Sequence, residues 1–171
     1  MTGVQTCALP IFTLLLTDGL GLTPASASRA DLLHVLTPSA FDAARAGGRP
    51  ATATFEIPYG LHTQRFRSTE EKHECRRELG LPVDTKIVLD VAAINARHKR
   101  VDALIDEAVR LPSDWTLVIV GAPEEPALLD HARNVLGARF VHLRLRRDEM
   151  PLVYAAADVF AHAAREEGFG L

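Results

Sequence analysis

At 171 residues the chain has room for one domain of ordinary size or for two partial ones. Its 47% hydrophobic and 24% charged residues suit a soluble globular protein, and a net charge of -3 at pH 7 excludes a strong bulk attraction to nucleic acid or anionic membrane. Two cysteines, Cys7 and Cys75, exclude a disulfide framework and have no metal-ligand spacing; a thiol at Cys75 in a charged helix fits a reducing, cytoplasmic setting.

Gly3-Val4-Gln5-Thr6-Cys7-Ala8-Leu9-Pro10-Ile11 resembles the translation of a sequencing adapter, so residues 1–11 are read as a non-native scar and set aside from fold reasoning. The alternative is a genuine N-terminal strand. The apolar run from Cys7 through Leu16 spans about ten residues, too short for a bilayer crossing of roughly 20, and it lacks the charged leader of a signal peptide. Phe12 to Thr17 reads as a buried strand ending at Asp18-Gly19, and residues 19–29 as loop. Leu32 to Thr37 is a second strand, Pro38-Ser39 punctuates it, and Ala40 to Ala46 is a helix closed by Gly47-Gly48. Thr52 to Phe66 holds one strand-like stretch and a turn at Pro58-Tyr59-Gly60; residues 67–80 are charged and helical. The change of character places a linker segment at 51–84, between the end of one Rossmann-like domain at 12–50 and part of another at 85–171.

From Thr85 the pattern is regular. Ile87 to Val91 is a strand, and Val101, Leu104, Ile105, Ala108 and Leu111 mark one face of a helix. Trp115 to Gly121 is a near-continuous apolar strand; Pro126 opens a helix with Leu128, Leu129, Ala132, Val135 and Leu136 on one face. Phe140 to Leu143 is a third strand, Asp148 is expected to cap a helix carrying Pro151 in its first turn, and Asp158 to His162 is a fourth strand. Strands without polar alternation, separated by helices, predict an α/β fold: a Rossmann-like parallel sheet with helices on both faces. A sheet ending after four such strands leaves an open edge and a risk of aggregation.

Open parallel sheets bind ligands beyond the carboxyl ends of their strands, which selects the loops at 92–100, 121–126, 144–148 and 163–171. The first carries Arg97, His98, Lys99 and Arg100 at the N-terminal side of a helix, where the dipole disfavours cations unless an anion joins them. A diphosphate held by Lys and Arg donors and free backbone N–H groups fits; a solvated charge run fits equally. Gly121 allows close backbone approach or simply a turn. In the last loop a carboxylate precedes Gly168-Phe169-Gly170 and suits sugar hydroxyls, and His162 at the strand end is either a ligand donor or a satisfied core histidine. There is no Ser-His-Asp order, no phosphate-binding Gly-x-x-x-x-Gly-Lys and no Gly-x-Gly-x-x-Gly, against a phosphate-cleaving NTPase or a nicotinamide-dependent dehydrogenase.

Four stretches taken in order resemble one family. Phe55 to Phe66 resembles its interdomain IPNGVD…F segment, Lys99 to Ile105 its KGVDLLI, Leu117 to Gly121 its L-x-IVG, and Tyr154 to Phe160 followed by Glu167 to Leu171 its YAAADVF…EGFGL. On these, residues 31–171 resemble the group 1 retaining glycosyltransferases of the two-domain GT-B arrangement. The resemblance implies transfer of a sugar from a nucleotide-diphosphate-sugar donor to an unknown acceptor with retained anomeric configuration, with no cofactor and no obligatory metal. It implies that Lys99 contacts the donor diphosphate and that Glu167 is the catalytic first glutamate of a Glu-x7-Glu motif, facing the donor sugar; Arg97, Gly121, His162, Gly168, Phe169 and Gly170 complete the donor-binding set. The second glutamate would fall past residue 171, so the chain is read as a fragment, inactive by itself. An epimerase or phosphorylase on the same scaffold is the alternative.

The chain departs from the family pattern at several places. Ala92-Ala93 stands where Gly-Arg is usual, with Arg97 nearby as a substitute in a loop one residue longer; Tyr59 replaces Asn, Arg100 replaces Gly, and His162-Ala163 replaces Pro-Ser. The expected partners are a nucleotide-sugar donor and a glycan, lipid or small-molecule acceptor, with no nucleic acid. The expected location is cytoplasmic, with peripheral membrane contact through the arginines of 65–77 weighed against a solvated helix.

Overall fold

The computed structural model describes residues 14–16, 31–67 and 71–165. The proposed scar at 1–11, the loop at 19–29 and the segment from Glu167 to Leu171 lie outside the described residues. The chain divides into two compact units, with the boundary at Leu61 and His62.

In the first unit, strands β1 (Leu14–Leu16), β2 (Leu32–Val35) and β3 (Thr54–Glu56) pair in parallel in the order β1-β2-β3. Leu33 and Val35 point to one side of β2 and are fully buried against Ala44 of helix α1 (Pro38–Ala46). The expected start of that helix at Ala40 moves to Pro38. Thr37 is the cap, its Oγ1 accepting from Ala40 N at 3.2 Å, and proline at the first helical position loses no hydrogen bond.

The second unit carries the regular pattern. Strands β4 (Lys86–Val91), β5 (Trp115–Val120), β6 (Phe140–Leu143) and β7 (Val159–Phe160) form one all-parallel sheet in the order β6-β5-β4-β7. Helices α2 (Lys72–Glu78), α3 (Val101–Val109), α4 (Pro126–Leu136) and α5 (Met150–Ala156) cover it on two faces. Val88, Leu117 and Ile119 pack with Val101, Ile105 and Ala108 of α3 and Leu129, Ala132 and Leu136 of α4. The alternate residues Ile87, Leu89, Val118 and Val120 pack with Cys75 of α2 and Val153 and Ala156 of α5. Burial on both faces explains the lack of polar alternation, each Leu, Ile or Val contributing roughly 1.5–3 kcal/mol.

Two details correct the sequence reading. Asp148 does not cap α5: the helix starts at Met150, no side chain caps it, and Asp148 instead accepts from Arg146 Nε at 3.2 Å. The loop closes through Glu149, whose carboxylate accepts from Arg146 N at 2.7 Å. The last strand is Val159–Phe160 rather than 158–162, flanked by bonds from Asp158 N to Ile87 O (3.0 Å) and from Ala161 N to Leu89 O (2.9 Å), and at the amino end of the sheet stands the side chain of Asp158. Its Oδ2 accepts from Ile87 N (2.7 Å) and from Arg76 Nη2 (2.6 Å), and its Oδ1 from Lys72 Nζ (2.7 Å). Arg76, 3% exposed, also donates to the carbonyls of Ala156, Val83 and Thr85. One guanidinium thus ties α2 to the start of β4 and the end of α5. Burial would raise the Asp158 carboxyl, but the bonds from Lys72, Ile87 N–H and Arg76 hold it down at about 2.

Candidate functional site

The carboxyl ends of β4, β5 and β7 meet around the loop 92–100. Ala92 N continues the ladder to Val120 O (3.0 Å), and Ile94, fully buried, exchanges backbone bonds with Ala122 O (2.9 Å) and Glu125 N (3.0 Å). These pairs lay the loop after β4 along the loop after β5. Gly121 is required there: a Cβ on it would sit 1.8 Å from the Ala92 carbonyl oxygen. The close approach expected at Gly121 is therefore made by the chain's own backbone, and its carbonyl accepts from His142 Nε2 at 2.9 Å.

Asn95 organises the basic stretch. It is 6% exposed; its Oδ1 accepts from His98 N (2.9 Å) and Lys99 N (3.0 Å), and its Nδ2 donates to Glu124 Oε2 (2.7 Å). The Asn95 carbonyl accepts from Val101 N (3.1 Å), and Ala96 N donates to Glu125 Oε1 (3.1 Å). Lys99 is thereby placed at the entry to α3, just beyond the strand end. Arg100 precedes the helix in the left-handed region (φ 52) and no side chain caps it. The Val101 N–H is thus taken by the Asn95 carbonyl, and no side chain caps the next N–H groups of α3, those of Asp102 and Ala103, at the positive end of the helix dipole. Arg97 is exposed, Arg100 Nε donates to Asp102 Oδ1 at 3.3 Å, and Arg165 N donates to His98 O at 2.9 Å.

Beside this loop lies a pair that the sequence reading passes over. Asp90, 1% exposed near the carboxyl end of β4, accepts from His162 Nδ1 at 2.9 Å. Burial pushes the Asp90 carboxyl up, while His162, the Val91 N–H and the Lys99 charge pull it back. The His162 ring stacks on Phe160 (centroids 6.0 Å, 15° between planes), and Phe160 meets Tyr154 at 5.7 Å. The signal for Asp90 is a charge inside an otherwise apolar buried strand, and the signal for Asn95 is a side-chain acceptor three and four residues before the N–H groups it fixes.

Of the predicted site residues, Lys99, Arg97 and His162 sit on the loops at this end of the sheet, and Gly121 beneath them. Glu167, Gly168, Phe169 and Gly170 lie outside the described residues. Among the described residues no group of three or more His, Cys, Asp or Glu side chains is placed to hold a metal ion.

The family description "Glycosyl transferases group 1" matches residues 71–171. The chain therefore belongs to the group 1 glycosyltransferases. It is 33% identical over 103 residues to the D-inositol 3-phosphate glycosyltransferase of Xylanimonas cellulosilytica, the match covering 56% of this chain and 24% of the relative. It is 32% identical over 128 residues to a GDP-mannose-dependent monoacylated alpha-(1-6)-phosphatidylinositol monomannoside mannosyltransferase of Corynebacterium glutamicum, covering 69% of this chain and 32% of that protein. Among solved structures, HepE of Anabaena in complex with UDP and glucose superposes with a TM-score of 0.74 at 21% identity, over 92% of this chain and 48% of HepE. Sucrose-phosphate synthase of Thermosynechococcus elongatus superposes with a TM-score of 0.68 at 26% identity, over 86% of this chain and 38% of the synthase. The chain spans a quarter to a third of the length of the curated relatives it matches and about half of HepE.

Proposed function

We propose that this end of the second unit binds the diphosphate of a nucleotide-sugar donor, and that the protein transfers the sugar to an acceptor with retention of anomeric configuration. The carrying observation is Lys99, whose backbone N–H is fixed by Asn95 Oδ1 at the uncapped entry to α3. A cation at the start of α3, where no side chain caps the helix, suits the negative charge that a departing diphosphate gathers, and stabilising that charge lowers the barrier to leaving. Arg97, two residues before Lys99 on the same loop, supplies a guanidinium in place of the family's arginine. By the resemblance of Glu167 to Leu171 to the family motif, Glu167 acts on the donor sugar and Gly168, Phe169 and Gly170 belong to the donor-binding set. No metal or other cofactor is assigned a role. The setting is cytoplasmic, with any membrane contact peripheral; among the described residues no helix is long and apolar enough to cross a bilayer.

UDP-glucose and GDP-mannose are the first donors to test, since HepE was solved with UDP and glucose and the Corynebacterium relative uses GDP-mannose. The curated relatives named above act on inositol-containing acceptors, so D-inositol 3-phosphate and a phosphatidylinositol monomannoside are the first acceptors to screen. Calorimetric titration of the full chain with each donor should give saturable binding, and Lys99→Ala should weaken it roughly 10- to 100-fold, as expected for losing a hydrogen bond to a charged group. Equal affinity in wild type and Lys99→Ala would remove the diphosphate from this loop.

A further inference from the structure

A side-chain amide fixes the backbone of the loop that carries Lys99, and an amide has two unlike ends. Asn95 is 6% exposed; its Oδ1 accepts from His98 N (2.9 Å) and Lys99 N (3.0 Å), and its Nδ2 donates to Glu124 Oε2 at 2.7 Å. Turned over, the same side chain would set an NH2 group against two N–H donors and an oxygen against a carboxylate. Glu124 decides between the two orientations, because an ionised carboxylate only accepts and its bond to the amide is charge-assisted. The other ties between the loops after β4 and β5 stop short of Lys99. Ile94 pairs through its backbone with Ala122 and Glu125, and Ala96 N donates to Glu125 Oε1 at 3.1 Å. On the far side Val101 N returns to Asn95 O at 3.1 Å, and from the loop after β7 Arg165 N reaches the His98 carbonyl at 2.9 Å. Between these anchors, the N–H groups of His98 and Lys99 turn toward Asn95 Oδ1.

We infer that Glu124 is a positioning residue of the proposed donor site: its carboxylate orients the Asn95 amide and, through it, sets the backbone at His98 and Lys99. The inference rests on the diphosphate reading of the preceding section and deepens it, giving the loop after β5 a part in the site. By charge alone Glu124 would do the opposite. A carboxylate one loop away from Lys99 repels a diphosphate and offsets part of the attraction of the cation. Shape and charge therefore act on binding in opposite directions, and two substitutions separate them. Glu124→Gln removes the charge and keeps an oxygen for Asn95 Nδ2. Glu124→Ala removes both, and nothing on the loop after β5 then sets which way the Asn95 amide faces. Glu124 is exposed, so neither change empties space in the core.

Two measurements on the full chain test this. Amide hydrogen exchange followed by NMR, without ligand, reads the loop itself. Glu124→Ala should speed exchange at His98 N and Lys99 N by about tenfold while Ile94 N and Val101 N keep near wild-type rates, and Glu124→Gln should restore most of the protection. Calorimetric titration with UDP-glucose and GDP-mannose then reads the site. Glu124→Ala should bind about three- to tenfold more weakly than the wild type, and Glu124→Gln as tightly as the wild type or more so. Unchanged exchange at His98 and Lys99 in Glu124→Ala overturns the inference. So does exchange that quickens equally at Ile94, His98, Lys99 and Val101, which marks a general loosening, and so does donor binding by Glu124→Ala that equals or exceeds the wild type. In each of these cases the diphosphate site stands as long as Lys99→Ala weakens binding. Absence of binding by the wild type, or equal affinity in Lys99→Ala, overturns the site and the inference together.

Discussion

Two residues show how single positions control the loop after β4. Gly121 is there because the Ala92 carbonyl occupies the space of a side chain, 1.8 Å from where a Cβ would sit. Gly121→Ala must push the loops after β4 and β5 apart, and it should cost roughly 3 kcal/mol or more in urea unfolding, in the range of severe backbone strain. Arg100 is the opposite case. It holds a left-handed conformation (φ 52) that costs an L-residue roughly 1–2 kcal/mol. The family's usual residue at this position is glycine, and the observed φ supplies the physical reason. Arg100→Gly should therefore stabilise the fold by about 0.5–1 kcal/mol, after the loss of the weak pair with Asp102 and the entropy cost of glycine. A lower unfolding midpoint in Arg100→Gly would mean that the guanidinium contributes more than its strain.

At the scale of elements, α2 is held in the second unit by Cys75 in the core and by one buried arginine. Arg76 satisfies carbonyls from the turn before β4 and the end of α5 and pairs with Asp158. Arg76→Ala leaves three carbonyls without these donors, empties the space of a buried guanidinium and removes one partner of the partly exposed Asp158 carboxylate, and should cost more than about 2 kcal/mol. Lys72→Ala removes an exposed partner of the same carboxylate and should cost less than about 1 kcal/mol. The pH dependence follows from Asp158, whose carboxyl is held down at about 2. A group depressed below its unfolded value of about 3.9 adds stability above that value and loses it as pH falls toward the folded value. The difference in urea midpoint between wild type and Asp158→Asn should thus be largest above about pH 4 and shrink as pH approaches 2. A constant difference across that range would mean that Asp158 acts by shape and not by charge.

For the whole molecule, the two units carry separate sheets, and Arg97, Lys99, Gly121 and His162 of the proposed donor site belong to the second. Ligand binding should then appear as added stability of that unit. A nucleotide sugar at 100 times its dissociation constant stabilises the state that binds it by about 2.7 kcal/mol. Thermal unfolding of the wild type should move up accordingly with UDP-glucose or GDP-mannose, and Lys99→Ala at the same concentration should move far less. The shift should also shrink with added salt, because the contact is largely between charges. Among the described residues β7 is an edge strand with Val159 and Phe160 exposed, so a charge at Val159 should reduce association measured by light scattering.

Much of this was open to reading from the chain alone. Strands β4, β5 and β6 and helices α3 and α4 follow from local composition: continuous apolar runs of strand length, then apolar residues at helical spacing, with Gly and Pro between. The location of the basic loop follows from the same order, since a parallel sheet sends every strand's carboxyl end to one side. Lys99, Arg97 and His162 are within reach of that argument. The roles of Asp90, Asn95, Arg76 and Asp158 are not. Their partners lie far along the chain, His162 for Asp90, Glu124 for Asn95 and Asp158 for Arg76, and no local pattern encodes a hydrogen bond between side chains so separated. The start of β7 escapes for the same reason, since Asp158 goes to Ile87 and Arg76, whereas the cap of α5 is lost to a local competitor, Arg146, which engages both Asp148 and Glu149. Local hydrophobic period determines the elements and their order; only folding, by bringing a buried carboxylate to an imidazole 2.9 Å away, decides which of the polar residues act together.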